Sequence, residues 1–455
     1  MDKNRILIFI LLLAFSVRLA FFLGVRPWQE KVRDELILEK SGDSLGYHLL
    51  AVNLIKKGKF SFDGINPCFF RTPFYPIFVG SFYLLFGIHP WVVLLIQILI
   101  DVVTCWLIYI LSLIIFNKKI ATLTSLLYTF EPTIIYFNVA LYTDIFALFV
   151  FMFSLVVLVW ALKNNNLLFF ALSGLILGMA TLVKPIFQFF PVVMIIIIIS
   201  GIKNINIYKF KAITLFTGFF LLTLLPWQLR NLRVGGHFCL STISSSHPYR
   251  TIIRYEVSRT GKSFKEVSDG IGAIIKEKMD KKGIVDGCPS KGEKIRKKIF
   301  FDFFKKYWPV YISIHIKGMC RLFLTNGSYM FYKMLGGIPT EIIPEKNTVD
   351  INYIHRFKKY ITKKTMLEII LFLLFSALLV ITYTLAIVGF FSLLNEKKYV
   401  LAFSLTLTIG YFSFISGMVP SPRYRIPVIP IYLMLASKGL LDLLPKKRLS
   451  LSHLS

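Results

Sequence analysis

Acidic residues are scarce in this chain: 24 Asp and Glu stand against 53 Lys and Arg, a formal net charge of +29. In a water-soluble protein that excess would point to nucleic acid, but no nucleic-acid motif accompanies it. Cysteine is sparse too. Cys68, Cys105, Cys239, Cys288 and Cys320 show no CxxC spacing and no histidines at zinc intervals, and they leave any disulfide pairing open. There is no internal repeat, which argues against the related halves common in transporters, and no low-complexity tract. What the chain has in quantity is apolar side chains, 56% of the sequence, 16% aromatic. Soluble chains hold about 45–50% and do not gather it into 20-residue blocks.

Here such blocks lie near residues 5–24, 90–116, 120–138, 144–162, 167–183, 186–201, 211–227, 366–394, 399–417 and 426–443. Each approaches the roughly 20 residues a helix needs to cross a bilayer. The first, NRILIFILLLAFSVRLAFFLG, has no small-x-small cleavage site and reads as a retained span. The stretch Phe74–Gly87 is short for a span and fits an interfacial or re-entrant helix. The expected fold is an all-α multi-pass membrane protein.

Lysine placement orients it. With a cytoplasmic N-terminus and a non-crossing 74–87, the loops at Lys118–Lys119, Lys163, Lys203–Lys211 and Lys397–Lys398 and the tail Lys446–Arg448 all fall inside. That leaves residues 25–89, the turn Tyr142–Asp144, residues 228–365 and the turn Pro420–Arg425 outside. Residues 228–365 carry 27 Lys and Arg against 11 Asp and Glu, which suits an anionic partner. Within them FFDFFKKYWPVYISIHIKGMCRLFL interleaves lysine with apolar residues and is expected in the headgroup plane.

Several charges stand out against this background. Asp43 precedes an amphipathic helix that ends at Lys56-Lys57-Gly58, so an N-cap role is its plainest reading. Arg71, just ahead of Pro73 and Pro76, suits a lipid phosphate or simple snorkelling. Asp144 opens a span on the same side as Asp43, where the helix macrodipole favours a carboxylate. Asp101 and Arg18 lie at mid-span depth, and a buried structural pair is the preferred reading. Lys184 in LVKPIFQFFP, Arg230 in LPWQLRNLRVGG, and Arg423 and Arg425 in PSPRYRIPVIP add basic clusters on the side of the two acids.

The order of these motifs resembles the GT-C glycosyltransferases: an acid in a first external loop, a short amphipathic helix, RTPFYPIF, a second TD acid, a KP turn, PWQLRN and a terminal RYRIPVIP. The nearest group is that of the dolichyl-phosphate-mannose protein mannosyltransferases, with the aminoarabinose transferase that modifies lipid A. The resemblance covers residues 5–233 and 366–443 and only loosely 234–365. It implies a bundle of about 10–13 transmembrane helices, with an N-terminal module 1–233 holding a catalytic first loop (25–89), a mixed external region 234–365, and a C-terminal module 366–455 with a cytoplasmic basic tail. It implies a plasma-membrane enzyme that takes a sugar from a polyprenyl-phosphate carrier on the outer face and passes it to a glycolipid, glycan or protein acceptor, and the basic region 228–365 favours an anionic lipid or glycan among these. By this resemblance Asp43 matches the family's first-loop acid, a base or acceptor-positioning residue, and Asp144 the second-loop acid of the aminoarabinose-transferase branch. Arg71, Lys184, Arg230, Arg423 and Arg425 are then candidates for the carrier phosphate, and Tyr47, Tyr75 and Tyr424 for substrate contact. No metal ligand triad is present, and a divalent cation between Asp43 and Asp144 stays an open option. Arg71-Thr72-Pro73 replaces the family's Lys-Pro-Pro, and Ser44 follows Asp43 where protein mannosyltransferases have Glu, which argues against protein O-mannosylation. A flippase for lipid-linked glycans or an envelope scaffold is the competing reading.

Overall fold

Helices account for the regular structure of this computed structural model, which describes residues 3–39, 42–202, 207–236, 238–281, 293–336, 364–417 and 421–444. Cys288, Lys203, Pro420 and the tail lysines lie outside the described residues. Among the described residues, seven helices are long and apolar enough to cross a membrane: Arg5–Val25, Pro90–Ile115, Asp144–Asn164, Ile207–Gly235, Met366–Asn395, Tyr399–Ser416 and Pro422–Leu443. Three shorter apolar helices, Phe74–Phe86, Leu167–Val183 and Phe190–Gly201, complete a multi-pass membrane bundle. At 1.5 Å per residue the 13-residue Phe74–Phe86 helix reaches about 20 Å, short of a ~30 Å hydrocarbon core.

Local chemistry sets where the helices begin and end. Pro90 opens its helix at a position where its missing N–H is not needed. Asn117 and Asn166 accept the N–H groups of Ile120 and Leu168 at their helix starts, and Thr365 accepts that of Glu368. Gly58 closes the Asp43–Lys57 helix with φ 63°, in the left-handed region that glycine enters without strain.

The block at 120–138, expected as one span, is two pieces, Lys118–Thr129 and Pro132–Asn138. Pro132 cannot donate to the helix and drives Glu131 to an extended conformation (ψ 114°). The break leaves the Thr129 carbonyl without a helical donor, and Arg18 serves it: its guanidinium donates to Thr129 O (3.0 Å), to Tyr128 O (3.4 Å), which also accepts from Glu131 N, and to the Asp101 carboxylate. Asp101 also accepts from Tyr128 Oη and from Asn138 Nδ2 (2.9 Å), and both ions are fully buried. The structural pair expected between the first and second long helices therefore forms, and it also closes the end of a third.

Two close helix crossings set the walls of the bundle. A Cβ added at Gly174 would lie 2.0 Å from Phe216 O, and one at Gly178 2.6 Å from Thr223 Cβ. Leu167–Val183 and Ile207–Gly235 thus meet backbone to backbone. Gly389 and Gly439 join Met366–Asn395 to Ile429–Leu443 in the same way, with added Cβ atoms 1.9 Å from Leu435 O and 2.0 Å from Leu385 O. In the large basic region, the lysine-rich aromatic stretch lies in one helix, Glu293–Leu324, kinked at Tyr307 ahead of Pro309.

Candidate functional site

Asp43 is not a cap. The capping position belongs to Gly42, which makes no side-chain bond, and Asp43 is the first helical residue. Its carboxylate turns instead toward two arginines. Oδ1 accepts from Arg71 Nη2, and Oδ2 accepts from Arg423 Nη1. Asp144, likewise first in its helix, accepts from Lys184 Nζ through Oδ1 (2.5 Å) and from Arg423 Nε through Oδ2 (2.7 Å). The result is a row of alternating sign, Arg71–Asp43–Arg423–Asp144–Lys184, with a net charge of +1 when all five are ionised.

Distant segments hold these groups in place. Pro185 stops the Leu167–Val183 helix, so Lys184 turns out of it into the site. Thr72 Oγ1 donates to Val183 O (3.2 Å) and brings the Arg71 segment alongside. Phe70 O accepts from Ser241 Oγ (2.5 Å) and Phe69 O from Thr242 N (2.9 Å). Aromatic faces line the cations: Arg423 over Tyr142 (4.5 Å), Arg71 over Tyr47 (4.8 Å), Lys184 over Tyr424 (4.9 Å).

Arg71, Asp43, Arg423 and Lys184 form one side of a cavity of about 280 Å³, with Asp144 buried behind Arg423 and Lys184. The other side is apolar, with Phe70, Ile186, Phe189, Phe414 and Ile415. Phe189 and Phe414 are 60% and 61% exposed, so this side opens onto the apolar flank of the bundle. Asp144 is buried, whereas the Asp43 side chain is 31% exposed and is the accessible acid. Burial pushes the Asp43 carboxyl up, but the adjoining Arg423 and Arg71 charges outweigh it and hold it well below the usual carboxylate range.

All four carboxylate oxygens of the two acids are engaged by cationic groups, and Arg423 stands between them. This donor set does not fit a divalent cation, and among the described residues no group of three or more His, Cys, Asp or Glu is placed to hold one.

The structure brings Asp43, Arg71, Lys184, Arg423, Tyr47 and Tyr424 to the cavity, holds Asp144 behind its wall on Lys184 and Arg423, and sets the other candidates apart. Arg230 donates to Cys68 O (3.1 Å) and Asn231 Oδ1 (2.9 Å), anchoring the segment that leads to Arg71. Arg425 is wholly buried and donates to Leu322 O, Phe323 O and Thr325 O, at the end of the kinked helix where carbonyls lack helical partners. Tyr75 is buried, donates to Gln97 Oε1 (2.6 Å) and meets Tyr47 edge-on (5.1 Å). Sequence reasoning missed Gln188 and Thr143 in the cavity wall. The available signals were a lone polar residue between the prolines of KPIFQFFP and the neighbour of Asp144 in YTDIFALF.

Among the described residues the chain is an all-helical multi-pass membrane bundle, the fold class expected from the sequence, with a charged cavity lined by segments from residue 43 to residue 424. Residues 70–228 match the dolichyl-phosphate-mannose-protein mannosyltransferase family. Among solved structures, the chain is similar to the oligosaccharyltransferase of Archaeoglobus fulgidus in its apo form, at 13% identity and a TM-score of 0.50, over 95% of this chain and 50% of that one. The same archaeal enzyme in complex with an inhibitory peptide and a dolichol-phosphate gives 13% identity and a TM-score of 0.48, over 94% and 50%. The likeness at this identity is one of fold, and this chain spans about half the length of those structures. No curated protein matches the sequence.

Proposed function

We propose that the protein is a membrane glycosyltransferase that moves a sugar from a polyprenyl-phosphate donor to an acceptor on the extracytoplasmic face. The observation that carries this reading is the cavity itself: three cations and Asp43, backed by the buried Asp144, facing an apolar wall that opens toward lipid. A polyprenyl chain cannot leave the bilayer, so its phosphate must be met where charge and apolar surface adjoin. The family matched by residues 70–228 and the GT-C fold support the same reading.

In this reading the donor phosphate competes with the carboxylates for Arg71, Arg423 and Lys184. Asp43, paired with both arginines, is a weak base; once the phosphate draws those donors away its basicity recovers. The acceptor hydroxyl then passes its proton to Asp43 while its oxygen attacks the anomeric carbon. The bond from that carbon to the phosphate oxygen breaks, and the leaving polyprenyl phosphate is stabilised by the cations. Attack opposite the leaving group inverts the anomeric centre.

The lysine bias supports an outward-facing cavity. Lys118–Lys119 open a helix, Lys163 lies in the last turn of the Asp144–Asn164 helix and Lys397–Lys398 join two helices, all at ends remote from Asp43 and Asp144. The basic region 228–365 suits an anionic lipid or glycan acceptor. The test is incubation of purified protein with a panel of radiolabelled polyprenyl-phosphate sugars and extracted envelope fractions. Label should pass to one fraction, and Asp43→Asn should lower the rate by about 10²–10⁴-fold while the protein stays folded. Full transfer by the variant, or translocation of the lipid without transfer, would overturn the assignment.

A further inference from the structure

A second hollow lies at the far end of a helix that also walls the charged cavity. Tyr399–Ser416 lends Phe414 and Ile415 to the cavity; near its other end it borders a groove of about 470 Å³. Leu111 and Ile115, Leu155 and Leu162, Ile197 and Leu405 give the groove aliphatic walls drawn from four helices, and Lys397, Lys398 and Tyr399 stand at its mouth.

The mouth is charged in an unusual way. Lys397 has φ 58°, a left-handed conformation at the position after a helix where glycine or asparagine is favoured. The amides of Lys397 and Lys398 bond back to Leu394 O and Leu393 O (both 2.9 Å), a cap that glycine would make with less strain. Among the described residues, Lys397 has no ion-pair partner. Lys398 Nζ meets Glu396 Oε2 (2.8 Å), but the other Glu396 oxygen is held by Lys438, which also holds Asp442. These three lysines and two acids leave a net charge of +1. Beside the mouth, Val400 and Phe403 are about half exposed, so protein does not cover this part of the helix.

We propose that this groove binds an anionic diacyl phospholipid from the leaflet opposite the charged cavity. An acyl chain lies between the four helices, and the headgroup phosphate meets Lys397 and Lys398. Charge complementarity selects the occupant: aliphatic walls accept any acyl chain, while uncompensated positive charge at the mouth favours a headgroup with net negative charge. The proposal does not depend on the sugar-transfer reading, because the groove and the cavity share a helix but no lining residue.

The test uses the full chain, delipidated in neutral detergent, with phosphatidylglycerol or phosphatidylcholine added back. Phosphatidylglycerol should raise the melting temperature and persist as an adduct in native mass spectrometry; phosphatidylcholine should do neither at equal concentration. The double variant Lys397→Gly, Lys398→Gln should bind phosphatidylglycerol roughly tenfold or more weakly. Its lipid-free melting temperature should not fall, since glycine relieves the backbone at position 397. Ser404→Trp fills the groove and should abolish the phosphatidylglycerol effect with both lysines intact. Equal stabilisation by phosphatidylcholine, or an undiminished phosphatidylglycerol effect in either variant, would overturn the proposal.

Discussion

Replacing Arg423 by lysine keeps a positive charge at the centre of the cavity and removes the bridge. Arg423 uses two different edges of one guanidinium, Nε for Asp144 and Nη1 for Asp43. A lysine ammonium is a single point on an unbranched stem and cannot reproduce that planar fork. Asp144 retains Lys184 and Asp43 retains Arg71, so neither acid is stranded, and one charge-assisted bond is lost, about 1.5–3 kcal/mol. Arg423→Gln goes further. It removes the charge and takes the five-member row from +1 to 0. Loss of an adjacent opposite charge raises a carboxyl pKa by about 1–3 units. The sign follows from the direction of the Asp43 shift. Its folded pKa lies below the unfolded value of about 3.9, so its contribution to stability is complete above that value and is lost as pH falls through the folded one. The same displacement sets the acid limb of kcat/KM, which reports the free enzyme before donor phosphate draws the arginines away; it should lie below the ordinary carboxylate range in the parent and move up toward it in Arg423→Gln. The assay is the initial rate of transfer at subsaturating donor from pH 3 to 7, with tryptophan fluorescence at each pH to separate unfolding from protonation. Arg423→Gln should also lose about 10²–10³-fold in rate through weaker hold on the departing phosphate, and Arg423→Lys should fall between it and the parent. Coincident acid limbs in parent and Arg423→Gln, or full activity in Arg423→Lys, would refute the reasoning.

Two predictions concern the scaffold. Arg18→Met and Asp101→Leu should each destabilise by about 3–5 kcal/mol, because each strands a fully buried partner; the double variant should lose clearly less than the sum. Thermal unfolding of the four proteins in one detergent measures the coupling, and additive losses would show that the pair does not interact as described. Gly174→Leu should separate the Leu167–Val183 and Ile207–Gly235 helices and cost about 1–3 kcal/mol or more, whereas Gly218→Leu, with nothing within 4 Å of its added Cβ, should be nearly neutral. Equal melting temperatures for these two variants would contradict the backbone crossing.

Hydropathy and local breakers are properties of neighbours along the chain, and what depends on them was legible in the sequence alone. The long apolar helices, the short helix at Phe74, the stop at Lys184-Pro185 and the acids that open two helices all follow from runs of side chains and the fixed geometry of proline. The Arg18–Asp101 pair was also foreseeable, because a charge at mid-membrane depth must find a partner. Tertiary structure decided which cations meet which acids. Arg423 and Asp43 are 380 positions apart, and no periodicity distinguishes Arg423 from Arg425 two residues later. One side chain bridges two carboxylates; the other satisfies carbonyls at a distant helix end. Whether Asp43 caps its helix or faces the cavity also depended on where Arg71 and Arg423 came to rest. A buried charge goes to its nearest available counter-charge or dipole, and only the assembled bundle determines which one is near.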